Sequence, residues 1–218
     1  MIEILTAVGW FVLLAGVANV LQYFYGTTYK KNALIFVSLF LLGVCGIWYT
    51  TSLSSITQFS DTLGILLGVL GVASYVTFCG WWNRTFTLEQ MYGVATLPKS
   101  YQQLLAPNAN SALSKAGEIL VQDVVLLVIV TELLRMNYSY LAAGGLFSVI
   151  VFIIHIPSPY IIGRIYGVWL TVLATLFALC IPWLIGEYSY GFYTVFLFHM
   201  FVYVLLLLVS RLAQRNFG

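Results

Sequence analysis

Apolar stretches of spanning length recur along almost the entire chain, and this constrains the fold more than any motif does. A helix of about 20 apolar residues crosses the hydrocarbon of a bilayer, and it satisfies its own backbone N–H and C=O groups where no water can. Such stretches run from about Ile2 to Phe24, Ala33 to Thr51, Thr62 to Trp82, Tyr138 to Ile156, Ile161 to Ile185 and Tyr188 to Val209. A further segment, capped by Asn or Ser within 108–111 after Pro107, reaches Leu134 and is longer than a span needs. The expectation is an all-α polytopic transmembrane bundle of about seven spans. Charged residues make up 7% of the 218, against about 25% in soluble domains, so one transmembrane domain fills residues 1–218.

The formal charge of +2 is too small to suggest a nucleic-acid partner. Cys45, Cys79 and Cys180 stand singly in apolar runs, which argues for packing thiols rather than a disulfide framework. The first stretch lacks a basic n-region, carries Glu3 and exceeds the roughly 7–15 residues of a signal-peptide core, so it reads as a span. In the third stretch Gly64 and Gly68, followed by Gly71 and Ala73, would let another helix approach closely. Residues 83–117 form the one long polar connection, in which Leu97 to Leu105 reads as an interfacial amphipathic helix. Pro182 removes a backbone donor from the sixth span, where a bend is expected.

Cationic residues orient the bundle. With the N-terminus outside, Lys30, Lys31, Arg84, Lys99, Lys115, Arg164, Arg211 and Arg215 all face the cytoplasm, and Arg135 alone lies outside. The C-terminus is then cytoplasmic. Two matches to the glycosylation pattern, at Asn83 and Asn137, fall at the cytoplasmic face and almost in the membrane, and read as chance.

Against this background the stretch Gly117-Glu118-Ile119-Leu120-Val121-Gln122-Asp123 stands out, because an ionisable group at membrane depth needs company to be tolerated. Glu118 and Gln122, four apart, share a helix face and can share a partner. Asp123 is turned roughly 140° from Glu118 and must serve a different neighbour. Glu132 is placed to pair with Arg135 three residues on. The chain's two histidines, His155 and His199, also lie in apolar segments. His199 is about 18 Å from Arg211 along a regular helix, and Tyr203 shares its face one turn on.

The order Glu118, His155, His199, with intervals of 37 and 44 residues, carries a family resemblance. Gly117-Glu118-Ile119-Leu120-Val121-Gln122 resembles the EExxxR motif of the CAAX protease and bacteriocin-processing (CPBP, or Abi) intramembrane family. Phe152 to Pro157, with His155, resembles its second motif, and His199 to Tyr203 its third, HxxxN. The resemblance covers roughly Ala116 to the C-terminus, with residues 118–218 as the CPBP-like core, leaving three motif-free spans in 1–82. Gly117 replaces the first Glu, Gln122 the Arg and Tyr203 the Asn, and Phe152 precedes His155 by three rather than four.

The resemblance implies a membrane endopeptidase that processes a peptide or protein substrate in a bacterial inner or plasma membrane. Glu118 would be general base on a water held by His155, with His199 and Tyr203 steadying the oxyanion and Gln122 in the Arg position. No cofactor is implied. The alternative is a CPBP-like bundle without proteolysis, a subunit, scaffold or binder whose 17% aromatic content offers surfaces for lipid, pigment or partner helices. A third reading, a transporter or proton relay using the buried acids, finds no internal repeat to encourage it. One carboxylate and two histidines also match an iron ligand set, but HExxH is absent and the residues fall on separate helices, so no metal is assigned.

Overall fold

The structure, a computed structural model, describes residues 2–51, 61–91, 94, 102, 105–161 and 164–217. Among the described residues every regular element is helical. The long helices are Ile2–Tyr25 (α1), Ala33–Thr50 (α2), Thr62–Thr85 (α3), Ala109–Arg135 (α4), Tyr140–His155 (α5), Arg164–Glu187 (α6) and Gly191–Phe217 (α7). A 3₁₀ turn at Leu88–Gln90 follows α3, and a helical turn at Ser158–Ile161 joins α5 to α6. Most of the interfacial helix expected over 97–105 lies outside the described residues.

Six helical stretches are long and apolar enough to cross a membrane, and they match the six apolar runs of the sequence. Helix α4 is not one of them. It carries Lys115, Glu118, Asp123 and Glu132 within its length, yet it is the bundle's inner helix, burying Ile119, Val121, Val124, Leu127 and Val130 almost completely. The outer helices behave oppositely, leaving Leu5, Leu42, Leu66, Leu141, Ile154 and Leu176 exposed on their outward faces. A bundle with polar groups on its inner helix and bare apolar faces outside is built for lipid. Exposed aromatic side chains gather at helix ends, among them Tyr23, Phe24 and Tyr25 of α1, Tyr49 of α2 and Trp81 of α3. Such residues suit the headgroup level.

Contacts at the helix ends fix the directions. Arg135 Nη1 at the end of α4 lies 3.9 Å from Glu3 Oε2 at the start of α1, and 3.0 Å from Glu132 Oε1. At the opposite end, Asn110 Nδ2 donates to the Lys30 carbonyl at 3.1 Å, so α1 and α4 are antiparallel. Ser189 Oγ donates to Asp61 Oδ2 at 2.8 Å just before α7 and α3, and Arg211 Nη1 near the far end of α7 donates to the Gln90 carbonyl at 3.0 Å beyond α3. These two helices are parallel. Lys30, Lys31, Arg84, Lys115, Arg164 and Arg211 all belong to loops or helix turns of one end.

Local chemistry explains the boundaries of α4. Asn108 is its N-cap, its side chain accepting from Ser111 N at 2.8 Å while the Ser111 hydroxyl accepts from Asn108 N at 2.8 Å. At the other end Asn137 takes φ +63°, a conformation Asn tolerates. Its N–H donates to the Leu134 carbonyl at 3.0 Å and the Tyr138 N–H to the Leu133 carbonyl at 3.2 Å, closing the helix in a Schellman motif.

Small residues set the helix spacings. Gly64 and Gly68 of α3 both lie under the Tyr193 ring of α7, where a Cβ at Gly68 would stand 3.0 Å from Tyr193 Cδ1. The close approach expected of these glycines is thus made by α7. Between α5 and α6, Gly144 lies directly against the Leu179 carbonyl, and Ser148 Oγ donates to the Thr175 carbonyl at 3.0 Å. Pro182 lies inside α6, which continues through it.

Candidate polar site inside the bundle

The loop between α1 and α2 folds onto the first turns of α4 and so brings a phenol to a carboxylate. Ser114 Oγ donates to the Tyr29 carbonyl at 3.3 Å, and the Tyr29 ring packs against Phe36 at 4.5 Å between centroids. Held there, the Tyr29 hydroxyl donates to Glu118 Oε2 at 2.8 Å. The other oxygen, Oε1, accepts from Lys115 Nζ at 2.7 Å and from Gln122 Nε2 at 3.1 Å. Burial first, and then the Glu118 carboxylate beside it, pushes the Tyr29 phenol above its ordinary pKa, so it stays a donor.

Lys115 and Glu118 are largely withdrawn from solvent, their side chains 9% and 20% exposed. The ion pair is therefore desolvated and depends on its additional hydrogen bonds. Lys115 Nζ also lies 4.9 Å over the ring of Tyr203 from α7, a cation–π contact. Tyr203 in turn stacks on His199, with centroids 6.1 Å apart and planes at 16°.

Deeper in the bundle is a second pair. His199 Nδ1–H donates to Asp123 Oδ1 at 3.1 Å, with the Asp123 side chain 0% exposed and His199 28%. Asp123 Oδ2 is buried with no hydrogen-bond partner among the described residues. Asp123 thus serves a different neighbour from Glu118, as its angular offset on the helix requires.

His155 makes different contacts. Its Nδ1–H donates to the Val151 carbonyl of its own helix at 2.8 Å, and its carbonyl accepts from Thr171 Oγ1 of α6 at 3.0 Å. Of the residues singled out from sequence, Glu118 and Gln122 meet directly, Tyr203 and His199 join them along the seam of α4 and α7 through Lys115, and His155 belongs to the α5–α6 corner. Sequence reasoning missed Tyr29, whose 89-residue separation from Glu118 leaves no local signal, and the pairing of Asp123 with His199. The i,i+3 spacing of Lys115 to Glu118 makes their ion pair legible from the sequence.

Among the described residues no three His, Cys, Asp or Glu side chains cluster as a metal would need. A cavity of about 310 Å³ opens at the cationic end, walled by Trp82, Phe86, Met91, Lys30 and Gln102, and Glu118 does not line it. No protein-family model, characterised protein or solved structure matches this chain. Fold and site together define its class: an all-helical, membrane-embedded bundle with a seam of ionisable groups along its inner helix.

Proposed function

We propose that the chain is a seven-span bundle of CPBP-like design that acts without proteolysis, as a scaffolding or binding subunit within a larger membrane assembly. The observation that carries this reading is the partnering of the two imidazoles: His155 Nδ1 is engaged by the Val151 carbonyl and His199 Nδ1 by Asp123, while the hydrogen bonds of the Glu118 carboxylate come from Tyr29, Lys115 and Gln122. A carboxylate offers about four acceptor sites, and Tyr29, Lys115 and Gln122 occupy three of those of Glu118. A base so fully engaged is a structural anchor, setting the register of α4 against α7 and the α1–α2 loop. The seventh span is α4, since one-sided placement of Lys and Arg needs it to cross, and the same asymmetry puts the N-terminus outside and the C-terminus in the cytoplasm. The bare apolar faces of the outer helices are where lipid or partner helices would lie. A bacterial inner or plasma membrane is the compartment that the family resemblance implies.

One observation favours the endopeptidase reading instead. Lys115, three residues before Glu118, places a cation 2.7 Å from it, where the resemblance has only the neutral Gln122 in the position of the family's Arg. The test is processing of reporter peptides in membranes containing the wild-type chain or Glu118→Gln. Equal processing is expected; loss of cleavage in the variant, with the protein still folded, would overturn the non-proteolytic reading.

A further inference from the structure

We propose that Asp123 and His199 together form a proton-binding site in the interior of the bundle, holding one exchangeable proton as a unit. The inference rests on the same His199–Asp123 contact that supports the non-proteolytic reading, but its test reads proton affinity and not cleavage, so the two fail separately. Three observations point to it. Asp123 is 0% exposed and lies mid-helix, about 18 Å from Arg135 along α4. One of its oxygens accepts from His199 Nδ1 at 3.1 Å, while the other is buried and unpartnered. His199 is 28% exposed, so the pair has one fully buried member and one partly open member.

Charge counting fixes the stoichiometry. With the Nδ1 proton committed to the hydrogen bond, a second proton sits either on His199 Nε2, giving an imidazolium–carboxylate pair, or on Asp123 Oδ2, giving two neutral groups. Both forms are net neutral. Removing that proton leaves a single uncompensated carboxylate in a low-dielectric interior, which burial opposes strongly. The two groups are therefore coupled, and the exchangeable proton belongs to the pair and not to either residue alone.

The surroundings do not supply an alternative countercharge. His199 is the titratable group that meets Asp123 directly. On α4 itself the nearest ionisable groups are Glu118 and Lys115, which neutralise one another. Helix α7 contributes Tyr203, α3 contributes Tyr75 and Cys79, and the α1–α2 loop contributes Tyr29, bound to Glu118. Helices α1 and α6 carry charged residues only at their ends, Glu3, Arg164 and Glu187, and α2 has none.

The test is a pH titration of the full chain in lipid nanodiscs, following the nitrogen signals of isotopically labelled histidine, of which there are only two. His199 is expected to keep its proton to a pH at least one unit higher than in Asp123→Asn, a tenfold change in proton affinity, while His155 titrates alike in both. An unchanged His199 midpoint in the variant would overturn the proposal. Should Asp123→Asn fail to fold, the wild type alone decides: at neutral pH the pair must still hold its exchangeable proton, seen either on His199 Nε2 or as a protonated Asp123 carboxyl band, and a bare carboxylate beside a neutral imidazole would overturn it.

Discussion

The Tyr29 hydroxyl and the Glu118 carboxylate meet at 2.8 Å across 89 positions of chain, tying the α1–α2 loop to the inner helix. Tyr29→Phe keeps the ring against Phe36 and removes only the donor. A hydrogen bond to a charged acceptor contributes about 1.5–3 kcal/mol, and with Glu118 partly open the expected loss is about 1–2 kcal/mol. Thermal unfolding in detergent micelles measures it; an unchanged midpoint would mean that the loop is not held by this bond.

Removing Lys115 should cost more, because it strands a carboxylate. Lys115→Met leaves Glu118 with neutral donors, and breaking a desolvated pair costs about 3–5 kcal/mol, reduced here toward about 2–4 by the 20% exposure of Glu118. Adding Glu118→Gln should restore more than half of the loss, since the uncompensated charge is then gone. A double mutant as unstable as Lys115→Met alone would show that packing of the lysine stem, not charge, dominates.

How far the sequence disclosed this arrangement depends on the range of the interaction. The six apolar runs were legible because hydrocarbon demands a fixed helix length, and α4 because Asn108 caps it after Pro107 despite its charges. Glu132 with Arg135 and Glu118 with Gln122 were readable from helical spacing. Helix geometry also separated Asp123 from Glu118 but could not name its partner, because His199 is 76 residues away. Convergence of His155 on Glu118 was inferred from motif order alone, and its Nδ1 proton goes to the Val151 carbonyl one turn back.

Two adjacent glycines give a paired test of helix spacing. A Cβ on Gly144 would collide with the Leu179 backbone, whereas Gly145 has nothing within 4 Å. Gly144→Ala should destabilise by about 1–3 kcal/mol, the usual range for overpacking, and Gly145→Ala should be neutral or slightly stabilising. Unfolding of both variants side by side reads the difference, and equal effects would contradict the α5–α6 contact.

Acid should loosen the start of α3. Asp61 accepts from Gly64 N at 2.7 Å and from Ser189 Oγ at 2.8 Å, and the Gly64 N–H, followed by Ser189, holds its carboxyl below the usual value. A depressed carboxyl stabilises the fold above its unfolded pKa of about 3.9, and that contribution is lost as pH falls through the lower folded value. Asp61→Asn should therefore remove the charge-linked part of that stability at neutral pH and so flatten the acid limb of a stability–pH curve below about pH 4. An identical acid limb in the variant would count against the cap.

The most direct measurement of the proposed role is gentle solubilisation of the tagged chain from its native membrane, followed by determination of what accompanies it and in what ratio. The expected result is a discrete membrane partner in stoichiometric amount, retained by Glu118→Gln. A monodisperse chain that by itself cleaves a membrane peptide, and loses that activity with Glu118→Gln, would contradict the account.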